Sequence, residues 1–68
     1  MLMKITINGE IKEYHEQLTV QQLLQQLKLQ SNRVVVELNR SILSPDAHND
    51  TKLKTGDIIE LVQFVGGG

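Results

Sequence analysis

The sequence predicts an α+β fold: a mixed sheet of four to five strands with one main helix across one face. Three observations carry this. The chain opens on a period-two alternation interrupted by Asn8-Gly9, which reads as a β-hairpin. One segment near the middle has an apolar stripe of helical period. The chain closes on Gly56-Asp57 and the nearly continuous apolar run Ile58-Ile59-Glu60-Leu61-Val62-Gln63-Phe64-Val65, the pattern of a strand inside a sheet.

In the first strand Met3, Ile5 and Ile7 alternate with Lys4, Thr6 and Asn8. Asn8 and Gly9 both tolerate positive φ, so they form the turn. The second strand covers about Glu10 to Tyr14. A strict two-residue turn puts Ile11 on the face opposite Ile5 and Ile7; a one-residue bulge returns it to the core side, and the bulge is the expectation. The helix is expected over Leu18 to Lys28, where Val20, Leu23, Leu24 and Leu27 share one stripe and the glutamines take the outer face. Thr19 is its N-cap, Gln22 completes a capping box, and Leu18 staples onto Leu23.

Ser31-Asn32 ends the helical region, and the β-branched run Val34-Val35-Val36-Glu37-Leu38 suits an inner strand. That run is apolar on both parities, so the sequence leaves open whether Val35 or Val36 faces outward. Asn39-Arg40 turns into a short edge strand at Ser41-Ile42-Leu43, and Ser44-Pro45 opens a short helical turn. Asp46 to Asp50 is polar loop, Leu53 a lone apolar anchor, and Thr55-Gly56-Asp57 the turn into the last strand. The last strand is expected beside the first and parallel to it, which gives the β-grasp arrangement.

Composition excludes several functions. The 68 residues suffice for one small domain, with residues 1–65 as its body and 66–68 as a flexible tail. There is no cysteine, hence no disulfide, thiolate metal site or thiol nucleophile. A net charge of −1 with both signs scattered, and only Tyr14 and Phe64 as aromatics, argues against nucleic acid as a partner. Neither a secretory signal nor a bilayer-spanning run is expected, so the expected location is cytoplasmic and away from membranes.

The tail Gly66-Gly67-Gly68 is slim enough to thread a narrow partner site, and the α-carboxylate of Gly68 is its only functional group. If Ile59 and Leu61 point at the helix, Ile58, Glu60, Val62 and Phe64 lie on the open face of the sheet. Ile58, Val62 and Phe64 then form an exposed apolar patch beside the tail, and are the expected partner contacts. Asp46, His48 and Asp50 alternate as metal ligands could, but solvated turn residues are the better reading, and isolated His15 adds nothing. Arg33 and Arg40 read as surface charges.

The Asn8-Gly9 hairpin, Thr19-Val20-Gln21-Gln22-Leu23-Leu24, Leu38-Asn39-Arg40-Ser41-Ile42-Leu43, Gly56-Asp57-Ile58-Ile59-Glu60 and the closing Phe64-Val65-Gly66-Gly67-Gly68 appear in this order along the whole chain. Together they resemble the ThiS family, ubiquitin-like β-grasp sulfur carriers of thiamin thiazole biosynthesis. The resemblance implies a carrier and not an enzyme. Gly68 would be adenylated by an E1-like (ThiF-like) activating enzyme, converted to a thiocarboxylate, and used by thiazole synthase (ThiG-like). The sulfur donor would be a cysteine desulfurase or a rhodanese-like protein. ATP and Mg would belong to the activating partner, with no cofactor bound by this chain. Gly66 departs slightly from the family, whose members commonly have another small residue there. The residues agree with this chemistry, since a chain without cysteine has no side chain on which to carry sulfur. The alternatives are the small subunit of molybdopterin synthase, a ubiquitin-like protein modifier, and a non-catalytic β-grasp interaction module.

Overall fold

The computed structural model describes Met1–Phe64; the expected tail Gly66–Gly68 and the domain boundary at residue 65 lie outside the described residues. Strands β1 (Met3–Ile7), β2 (Glu10–Tyr14), β3 (Val34–Leu38), β4 (Ser41–Leu43) and β5 (Ile58–Gln63) form one sheet. Their order is β2-β1-β5-β3-β4. β1 and β5 run parallel at its centre and the other pairs are antiparallel. Helix α1 (Val20–Gln26) follows the first hairpin. Its Val20, Leu23 and Leu24 share one core with Met3, Ile5 and Ile7 of β1, Val34 and Val36 of β3, and Ile59 of β5.

The hairpin differs from the expectation at one point. Asn8 and Gly9 have φ of 49° and 84°, the two left-handed positions of a type I′ turn. This turn closes the hairpin in two residues, with Ile7 opposite Glu10 and Thr6 opposite Ile11. No bulge intervenes, so Ile11 lies on the face away from the core and is 71% exposed. An Asn-Gly turn already matches the twist of both strands, and nothing is gained by adding a residue.

α1 is shorter than its apolar pattern and has a defined stop at each end. The Gln22 amide donates to Thr19 Oγ1 over 3.1 Å, and the Thr19 amide donates to Gln22 Oε1 over 2.9 Å, completing the capping box. At the other end Lys28 sits at φ 60°. The Leu29 amide donates to the Leu24 carbonyl over 2.8 Å and the Lys28 amide to Gln25 over 3.0 Å, a Schellman closure that leaves Leu27 and Leu29 against the core. Leu18, the residue before the cap, and Leu23 are both buried.

The long segment before β5 is tied to the start of α1. Val20 and Leu53 amides donate to Thr51 and Leu18 carbonyls over 2.9 and 2.8 Å. Leu53 is fully buried, as its isolation in a polar stretch suggests. Ser44 caps the short helical turn Pro45–Ala47, its side chain accepting from the Asp46 amide. His48, expected to be a solvated loop residue, is instead 1% exposed. The local turn points its ring inward while its flanking polar residues remain in water. At the entry to β5, buried Asp57 accepts from Asn39 Nδ2 over 3.0 Å and from the Lys54 amide over 2.8 Å. Asn39 Oδ1 accepts in turn from the Ile58 amide over 2.9 Å, which fixes where β5 begins. Among the described residues no helix is long and apolar enough to cross a membrane.

Candidate functional site: the open sheet face and the root of the tail

Side-chain parity along β5 decides what the sheet shows to solvent. Ile59 is fully buried, and Leu61 packs against the core. Ile58, Val62 and Phe64 are therefore turned to the opposite face, where they are 54%, 61% and 50% exposed. The three expected contact residues thus share one face. The neighbouring strands extend it. Ile11 of β2 and Ile58 both stand beside Thr6 of β1. Val35 of β3 stands opposite Val62, which settles its orientation: Val36 is in the core and Val35 outside. Ile42 of β4, opposite Glu37, is exposed on the same face.

The face also carries charge. Glu37 on β3 and Glu60 on β5 are direct partners across the ladder. Lys4 lies opposite Glu13 at the β1–β2 side of this face, with 3.8 Å between Nζ and Oε2, whereas Lys12 and Glu10, 4.0 Å apart, stand opposite Ile5 and Ile7 on the other side of the sheet. Arg33 and Arg40 are exposed, as expected.

β5 is held up to its last described residue. On one side the Phe64 amide donates to the Arg33 carbonyl over 2.8 Å, continuing the ladder with β3. On the other, β1 ends at Ile7, and the Asn8 side chain bonds the backbone of Leu61 in its place. The chain therefore reaches Phe64 with a fixed direction. Gly66, Gly67 and Gly68, the residues on which the chemistry was expected, lie outside the described residues.

Ile11, Ile42, Glu37 and Glu60 were not singled out as contacts from sequence, and the choice between Val35 and Val36 for the outer patch was left open. Alternation along β5 placed Glu60 on the open face, but only the register between strands puts the others there beside it. Asp46, His48 and Asp50 do not meet as a ligand set: His48 is buried, whereas Asp46 and Asp50 are exposed. Among the described residues no three metal-ligating side chains converge. Tyr14, half-buried at the end of β2, has its phenol pushed above the usual range by burial.

A sequence model described as the ThiS family matches residues 5–68, nearly the whole chain. The chain belongs to the ThiS family. The sulfur carrier protein ThiS of Bacillus subtilis is 35% identical over 65 residues, covering 94% of this chain and 98% of that protein. The crystal structure of the thiamine biosynthesis protein ThiS from Geobacter metallireducens superposes with a TM-score of 0.82 at 40% identity, covering 97% of this chain and 100% of that one. The ThiS fold, with its mixed five-stranded sheet and single main helix, is therefore the β-grasp arrangement expected from sequence. A thiazole synthase of Paramagnetospirillum magneticum is 38% identical over 66 residues, and there the chain spans only 20% of the relative's length.

Proposed function

We propose that this chain, a sulfur carrier of thiamin biosynthesis by family, carries sulfur as a thiocarboxylate on Gly68. The observation that carries the reading is the pairing of a fixed β5, whose exposed apolar face continues to Phe64, with the sequence Val65-Gly66-Gly67-Gly68 that follows. The folded body provides recognition, and the glycines provide reach into a partner's site. A carboxylate is a poor electrophile. An adenylating partner would let a carboxylate oxygen of Gly68 attack the α-phosphorus of ATP, expelling pyrophosphate and leaving an acyl adenylate. The terminal sulfur of a persulfide on the donor protein would then attack the acyl carbon and expel AMP, giving an acyl disulfide. A partner thiol would cleave its S–S bond to release the thiocarboxylate and leave a disulfide between the two partner sulfurs; one hard substitution is thereby split into easier steps.

The partners in this scheme are an E1-like adenylating enzyme, a cysteine desulfurase or rhodanese-like sulfur donor, and a thiazole synthase as acceptor. The last is supported by thiazole synthases that contain a stretch similar to 97% of this chain. The chain itself acts as carrier rather than catalyst, and ATP and Mg are bound by the adenylating partner. Ile58, Val62 and Phe64 dock the partners. Removing Gly67 and Gly68 tests the assignment: a carrier keeps its fold and its docking but loses sulfur transfer. Sulfur transfer that survives the deletion would contradict it.

A further inference from the structure

Glu37 and Glu60 stand directly opposite each other on the open face, in the middle of the β3–β5 ladder. Directly opposed residues have Cβ atoms about 5 Å apart, and like charges at that spacing repel. Among the described residues neither carboxylate has an ion-pair partner; Lys4, the lysine that β1 places on this face, is engaged by Glu13. The surroundings of the pair are apolar. Ile58 and Val62 lie two residues before and after Glu60, Val35 two before Glu37, and Ile42 opposite Glu37 across β4. Ile42, Ile58 and Val62 are each more than half exposed.

An acidic pair ringed by exposed apolar side chains has the layout of an interface centre, where the rim excludes water and a central polar contact gains strength. We propose that the open face receives an arginine of thiazole synthase, its guanidinium bridging Glu37 and Glu60 while Ile42, Ile58 and Val62 close around it. Arginine fits better than lysine because its planar fork presents several donors and can address two carboxylates at once. A second copy of this chain does not fit, since a two-fold pairing of this face would bring two acidic pairs together. The inference rests on the proposed role of the open face in docking thiazole synthase and adds the partner's chemistry.

The test is calorimetric titration of the full chain with the same organism's thiazole synthase at low and high ionic strength. The variants are E37Q/E60Q and V62D/F64D, each with a measured melting temperature. The expected E37Q/E60Q protein melts higher than the unaltered chain, binds roughly tenfold or more weakly, and loses most of the salt dependence. The opposite signs for stability and binding separate a docking role from a structural one. E37Q/E60Q binding that is unchanged or tighter, with V62D/F64D still weakened, overturns the arginine and leaves the docking face standing. Unchanged binding in both variants overturns the docking face as well. An unaltered chain that does not bind thiazole synthase overturns the partner assignment and this inference with it.

Discussion

The side-chain amide of Asn8 is bonded at both ends to the backbone of Leu61. The Leu61 amide donates to Oδ1 over 2.7 Å, and Nδ2 donates to the Leu61 carbonyl over 3.3 Å. This contact replaces the strand that β1 ceases to supply after Ile7, and it steadies β5 just before the tail begins. Asn8→Gly keeps a residue suited to positive φ in the turn and removes only the amide. It should cost about 1 kcal/mol of stability in urea unfolding, and speed hydrogen exchange at Leu61 more than at Ile59. Unchanged protection at Leu61 would remove the clamp from the account.

Lys28 closes α1 from a left-handed conformation, at φ 60°, where a side chain is unfavourable. Lys28→Gly should raise stability by about 1 kcal/mol, measured by denaturant midpoint, because the Schellman bonds are made by the backbone and survive the change. A lower midpoint would mean that the Lys28 side chain stabilises the closure beyond what its conformation costs.

His48 is buried, and neither ring nitrogen has a hydrogen-bond partner among the described residues. Burying such a group costs free energy that an apolar side chain of similar size does not incur. His48→Leu should therefore raise stability by about 1 kcal/mol, whereas His48→Ala should lower it by opening a cavity. Thermal unfolding of the two variants distinguishes the outcomes, and a destabilised leucine variant would point to a polar role for the ring.

Tyr14 gives a pH dependence of known sign. Burial raises its phenol pKa above the ordinary value of about 10. The unfolded chain then ionises first, so this contribution to stability is full below the ordinary value and is lost as pH rises through the folded one. Stability measured by urea unfolding from about pH 9 to about pH 11 should fall less steeply for Tyr14→Phe than for the unaltered chain. Identical slopes would contradict the assignment.

The parts of the fold legible in the sequence were those fixed by local chemistry. Asn8-Gly9, the Thr19–Gln22 capping box and the Ser44-Pro45 turn each specify their own geometry within four residues. What escaped were facts of register and packing. Whether Ile11 faces the core depends on a single residue of bulge, and a one-residue slip reverses a strand's faces. Val35 and Val36 look alike until pairing with β5 assigns one outward. His48 sits among polar neighbours, so no local pattern marked it as buried. The contact face was legible in β5 alone: Ile58, Glu60, Val62 and Phe64 follow from alternation, while Ile42 and Glu37 join them only through the sheet.

The most direct test of the central claim is the mass of the chain after incubation with its adenylating enzyme, ATP and a sulfur source. Sequencing of the C-terminal fragment must accompany it, because oxidation of Met1 or Met3 adds nearly the same mass as exchanging oxygen for sulfur. The account predicts one oxygen replaced by sulfur, localised to Gly68. An unmodified Gly68 with a demonstrably active enzyme, or sulfur found elsewhere in the chain, would contradict it.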